Sequence, residues 1–84
     1  MILCWEPSAW EDYLFWKKTD KNQLKRVNEL IKDSMRNPFD GIGNPEPLRA
    51  NLSGFWSRRI DREHRLVYSM QNNNLIILQC RYHY

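Results

Sequence analysis

Apolar positions along this chain follow two periods. Up to Met35 they recur every three or four residues, the mark of helices with one buried stripe; from Leu52 on they alternate or come in short runs, the mark of strands. Ile2-Leu3-Cys4-Trp5 comes first and reads as a strand closed before Pro7. Ser8 then opens a helix, and Ser8 and Glu11 have the spacing of a capping box. Trp10, Tyr13 and Leu14 share one face of it, with Ala9 and Trp16 flanking; Phe15 points elsewhere, to a partner chain or to solvent. Asp20 is placed to cap a second helix, with Gln23 at the matching third position. Leu24, Val27, Leu30, Ile31 and Met35 form its buried stripe, and charges of alternating sign fill a solvated face. Pro38 ends this helix, because the residue before a proline is pushed out of helical geometry.

Residues 38–50 hold three Pro and two Gly and show no period, so they read as a long loop, a kind often functional. Strands follow at 52–60, 65–70 and from Leu75 to the end, separated by the polar turns 61–64 and 71–74. Consecutive strands with short turns make an antiparallel meander. The expected fold is α+β: an N-terminal strand, two helices, then the meander with one face under the helix pair, in a single domain spanning 1–84.

Composition adds to this frame. A chain of 84 residues hides only about 60% or slightly more of its unfolded surface, so its four Trp, four Tyr and three Phe matter to the core. The charge is uneven: residues 1–48 carry seven Lys/Arg and eight Asp/Glu, whereas 49–84 carry six Arg, no Lys and two acids. An Arg-only basic half beside aromatic residues suits nucleic acid or an acidic partner, and equally a solvated strand surface. Cys4 and Cys80 fit no metal spacing; buried free thiols are expected, and one disulfide between them stays open. No leader follows Met1, and no apolar run is long enough to span a bilayer, so a cytoplasmic protein without membrane attachment is expected.

The chemistry centres on three elements. His83 sits beyond an apolar strand among Arg81, Tyr82 and Tyr84, and histidine is the side chain that moves protons near neutral pH. Taken alone it reads as an incidental terminal histidine. Glu46 lies between Pro45 and Pro47, a stiff setting for a general base, although a solubilising loop acid has the same look. Arg49, Arg58, Arg59, Arg62 and Arg65 come close together; alternation puts Arg58 and Arg59 on opposite faces, and Arg58 could pair with an acid of the fold. His64, in a turn, is expected at the surface.

An acid, a base and several cations suit RNA cleavage, in which the substrate's 2′-hydroxyl is the nucleophile and no metal or cofactor is required. Phe55, Trp56, Tyr82 and Tyr84 could stack on bases. There is no P-loop, no dinucleotide glycine motif, no Cys/His cluster and no triad around Ser53.

Pro45-Glu46-Pro47-Leu48, Asn51 to Ile60 (Asn-Leu-Ser-Gly-Phe-Trp-Ser-Arg-Arg-Ile), Glu63 to Tyr68 and the ending Cys80-Arg81-Tyr82-His83-Tyr84 carry a resemblance. Through them the chain resembles, over essentially its whole length, the YoeB branch of the RelE superfamily of bacterial toxin–antitoxin toxins. The resemblance implies a microbial-ribonuclease-like fold and an endoribonuclease that cuts mRNA in the A site of the 70S ribosome, beside 16S rRNA. By position Glu46 matches the family's general base and His83 its general acid. Arg65 matches the residue that stabilises the transition-state phosphate, Tyr84 the terminal tyrosine that orients substrate, and Arg59 a phosphate or rRNA contact. Arg49 falls where some relatives carry Lys. A cognate antitoxin and a homodimer are further expectations. The alternative is a non-catalytic relative that binds RNA or ribosomes, or inhibits gyrase.

One geometric demand remains. A plain hairpin across residues 71–74 sets Met70 opposite Leu75 and Arg65 opposite Cys80. Strict alternation then sends Tyr82 and Tyr84, not His83, to the face of Arg65, so a bulge or irregular end is required.

Overall fold

The structure, a computed structural model, describes residues 1–83. Its elements are β1 (Leu3–Trp5), α1 (Pro7–Thr19), α2 (Lys21–Arg36), β2 (Glu46–Pro47), a 3-10 turn (Ala50–Leu52), β3 (Phe55–Arg59), β4 (Arg65–Gln71) and β5 (Asn74–Gln79). They build an α+β fold in which both helices pack on one five-stranded sheet of order β1-β5-β4-β3-β2. The meander β3-β4-β5 is antiparallel, and β1 joins β5 in parallel, which makes the sheet mixed.

Proline rather than a capping box starts α1. Pro7 occupies the first turn, where its missing N–H costs nothing, and Glu6 is the cap residue without a side-chain bond. The expected Ser8–Glu11 box does not form, because the helix already begins one residue before Ser8. Asp20 does cap α2: its carboxylate accepts from the Asn22 and Gln23 amides at 3.1 Å each. The Gln23 side chain instead reaches Asp61 at 2.7 Å, tying α2 to the β3–β4 turn.

The stripe of α2 packs as expected, with Val27, Leu30 and Ile31 buried and Leu24 and Met35 at the margin. From the sheet come Leu66, Tyr68, Leu75 and Ile77, alternate residues of β4 and β5. Ala9 and Trp16 complete the core from α1; Trp10 is largely exposed and joins Trp5 and Tyr13 in an aromatic cluster at the edge. Phe15 corrects its expected outward position: it packs against the core and carries the Arg81 guanidinium 3.5 Å from its ring centre. Both cysteines are free thiols; Cys80 is buried, Cys4 only partly. Burial, with the Asp12 carboxylate nearby, pushes the Cys80 thiol up to about 12.

Arg58 is fully buried, and the fold is built around it. Its guanidinium donates to Asp33 (2.6 Å), to the Tyr68 hydroxyl (3.0 Å) and to the carbonyls of Asn37 (2.6 Å), Asp40 (3.0 Å) and Ile42 (3.1 Å). Residues 37–42 thus wrap a cation and satisfy its donors, the condition under which burying a charge is tolerated. Gly41, at φ 126°, lies where a Cβ would collide with the Asp33 carboxylate, so the wrap needs glycine there. Bonds from the Ile42 amide and from Arg58 hold the Asp33 carboxyl below its usual range. No helix among the described residues is long and apolar enough to cross a membrane.

Candidate active site

The helices cover one face of the sheet; the candidate site lies on the other. Register puts it there. Glu46 of β2 pairs with Ser57 of β3, and Arg59, two residues further, pairs with Arg65 of β4. Glu46, Ser57, Arg59 and Arg65 therefore share the face opposite Arg58, Leu66 and Tyr68. Segment 38–50 was expected as an unstructured loop, and in it Glu46–Pro47 forms an edge strand instead. Pro47 is tolerated because only one side of an edge strand is paired. In the same region, residues 50–54 turn before the strand expected from Leu52 begins at Phe55.

The last strand meets the geometric demand through a register slip. Met70 faces Leu75 and Tyr68 faces Ile77, but Val67 faces Gln79, which leaves Leu78 as the extra residue. The strand stops at Gln79 rather than running to the chain end, and the chain turns away through Tyr82 at φ 65°. That left-handed conformation is strained for a bulky residue, and the surroundings hold it. The Tyr82 carbonyl accepts from the Arg65 amide at 3.0 Å and from the Gln79 side chain at 3.2 Å. Upstream, Asp12 accepts from the Cys80 amide (3.1 Å) and the Trp16 indole donates to the Cys80 carbonyl (2.7 Å). Burial raises the Asp12 carboxyl above its ordinary value, against the opposing effects of the Cys80 amide and Arg81.

The outcome is a small polar cleft of about 70 Å³ lined by Asn44, Glu46, Ser57, Arg59, Arg65 and His83. Four of the sequence-derived site residues thus converge. Arg49 does not join them; with Glu46, Pro47, Leu48 and Leu52 it lines a separate cleft of about 510 Å³, so Glu46 stands between the two. Tyr84 lies outside the described residues. Of the aromatics considered for base stacking, Trp56 is taken up by Phe39 (ring centres 4.9 Å apart) and the core, whereas Tyr82 is half exposed.

Two members of the cleft were not singled out from sequence. The Asn44 amide donates to Glu46 Oε1 at 2.9 Å and so orients the carboxylate; it sits at the left-handed φ of 53° that Asn tolerates, and its sequence signal was an Asn directly before the Pro45-Glu46-Pro47 run. Ser57 is set beside Arg59 by alternation alone. Arg65 is partly tied, its guanidinium donating to the carbonyls of Asp61 (2.8 Å) and His64 (3.1 Å). His64 itself is buried, contrary to its expected exposure, because the C-terminal turn folds back over it. The groups are a carboxylate, an imidazole and two guanidinium ions on one open surface. This set can accept a proton, donate a proton and neutralise a phosphate.

Fold and site together define a small α+β protein whose uncovered sheet face carries an acid–base cluster with arginines. Residues 5–84 match the family described as the YoeB-like toxin of bacterial type II toxin–antitoxin systems, and the chain belongs to that family. It is 60% identical to the toxin YoeB of Escherichia coli K12 over the full length of both chains. The structure superposes on a YoeB/ParE toxin from Agrobacterium tumefaciens with a TM-score of 0.98 at 46% identity, covering 100% of both chains. It also superposes, at a TM-score of 0.92 and 46% identity, on Staphylococcus aureus YoeB in a heterotetrameric YoeB–YefM complex and as a YoeB dimer; each match covers 100% of this chain and 98% of the other.

Proposed function

We propose that this toxin is an endoribonuclease that cuts mRNA in the ribosomal A site by acid–base chemistry and thereby arrests translation. What supports the reading is the convergence of Glu46, Arg59, Arg65 and His83 on one cleft. Glu46, oriented by Asn44, takes the proton of the 2′-hydroxyl as O2′ attacks phosphorus. The P–O5′ bond breaks, and His83 delivers a proton to the departing O5′. The products are a 2′,3′-cyclic phosphate and a 5′-hydroxyl end. Arg65 and Arg59 neutralise the charge that builds on the phosphorane oxygens, where preorganised cations are most effective. Because the nucleophile belongs to the substrate, no step calls for a metal or cofactor.

Arg49, across Glu46, meets a flanking phosphate, and Tyr84 orients the substrate. The ribosome, with its 16S rRNA, presents the mRNA, so the reaction is cytoplasmic. A cognate antitoxin neutralises the toxin, and two copies form a homodimer, by analogy with the YefM complex and the dimer of the Staphylococcus aureus protein.

The test is primer extension on an mRNA translated by ribosomes, with a single 2′-deoxy sugar at the cut. We expect the all-ribose message to be cleaved to a cyclic phosphate end and the 2′-deoxy message to resist. Equal cutting of both would overturn the mechanism. Full growth arrest by both Glu46→Ala and His83→Gln would favour inhibition without catalysis.

A further inference from the structure

His64 is the one imidazole that the proposed chemistry does not use, yet it is among the most tightly engaged side chains near the cleft. It lies in the β3–β4 turn with its ring edge-on to Trp16 of α1, centroids 4.8 Å apart. Its backbone is pinned as well: its amide donates to Asp61 Oδ1 at 2.8 Å, and its carbonyl accepts from the Ile60 amide at 3.0 Å. Nδ1 accepts the Tyr82 N–H at 2.7 Å. An imidazole nitrogen that accepts is unprotonated, so the ring is neutral with its proton on Nε2, the side nearest Glu63 (3.7 Å to Oε1). Tyr82 is thereby held at both of its backbone polar groups. Its N–H goes to the His64 ring, and its carbonyl takes the amide of Arg65, the next residue along β4. Tyr82 is the strained residue immediately before His83.

We propose that His64 is a positioning residue: through the Tyr82 amide it sets where His83 sits relative to Arg65 and Glu46. One peptide unit transmits the placement. Loss of the Nδ1 acceptor orphans a partly buried N–H and removes a restraint on the left-handed Tyr82, so the chain can relax and carry His83 out of the cleft. This role rests on the ribonuclease reading only for its effect on rate; the bond itself stands independently.

Two variants separate positioning from packing. His64→Phe keeps a ring against Trp16 but has no acceptor; His64→Asn puts an amide oxygen close to where Nδ1 lies. In single-turnover cleavage on programmed ribosomes we expect His64→Phe to lose roughly 100-fold in the saturating rate, the scale on which about 1 Å of misplacement acts. Its half-saturating concentration stays near that of the wild type, and His64→Asn recovers most of the loss. Thermal midpoints rank the other way, with Phe at least as stable as Asn. A wild-type rate for His64→Phe, or losses in both variants that follow their midpoints, would overturn the proposal. The wild-type protein needs no variant for a second reading: a scalar coupling across the hydrogen bond between the Tyr82 amide nitrogen and His64 Nδ1, with the Nε2–H tautomer in the 15N spectrum. Absence of that coupling overturns the proposal even if RNA is cut. Its presence in a protein that leaves ribosome-bound mRNA intact keeps the bond and sinks the ribonuclease reading instead.

Discussion

Arg58 and Arg59 are neighbours in the chain and belong to different parts of the molecule. Arg58 points under the helices, where one carboxylate, one phenol and three carbonyls surround its guanidinium. Arg59 points to the open face, opposite Arg65 and beside Ser57, in the cleft that Glu46 and His83 share. A one-residue step on a pleated strand divides a charge enclosed by the fold from a charge that lines the open cleft. Burial and satisfied donors mark the first; exposure and a neighbouring like charge mark the second. Arg59 and Arg65 are register partners on that face, and under the ribonuclease reading a phosphate is the anion that their planar guanidinium donors would bind.

That contrast can be broken by substitution. Arg58→Ala leaves Asp33 and three carbonyls without their cation, and we expect a loss of about 3–5 kcal/mol in urea unfolding. Arg59→Ala should leave unfolding within about 0.5 kcal/mol of wild type while cutting the cleavage rate on ribosomes roughly 100-fold, as when one transition-state donor is removed. Equal effects of the two on stability would erase the distinction between the faces.

A smaller effect sharpens the covered side. The Asp33 carboxyl titrates below its ordinary 3.8 in the folded chain, through the Ile42 amide first and then Arg58. A depressed carboxylate contributes stability above its unfolded value and loses it as pH falls through the folded one. The advantage of wild type over Asp33→Asn should therefore be full near neutrality and fade as pH drops below about 4. Denaturation at several pH values reads it directly; a gap that does not change with pH would mean Asp33 acts through shape alone.

Much of the covered side was legible in the sequence. The α2 stripe, the Asp20 cap, the stop at Pro38 and the split of Arg58 from Arg59 all follow from local periods and local chemistry. What escaped depends on contacts distant in sequence. β2 is two residues long and rests on its pairing with β3, so its flanking prolines read as loop. Pro7 displaced the capping box because an early first turn competes with a later one. His64 is buried and Phe15 partly covered by the returning C-terminal turn, which no local pattern announces. The register slip at Leu78 was legible only as a need: alternation alone would have sent His83 away from Arg65, and the slip together with the turn at Tyr82 brings it into the cleft. The pairing of Glu46 with His83 drew on motif resemblance, since each residue alone looked incidental.

The central claim is that the open face performs acid–base cleavage with His83 as the proton donor to the leaving oxygen. The most direct measurement uses a ribosome-bound mRNA whose scissile O5′ is replaced by sulfur, a leaving group that departs without a proton. With the natural oxygen we expect His83→Gln to be slower than wild type by about 10²–10⁴-fold; with sulfur the two should cleave at similar rates. A His83→Gln defect that is as large with sulfur as with oxygen would contradict the assignment of His83 as the acid.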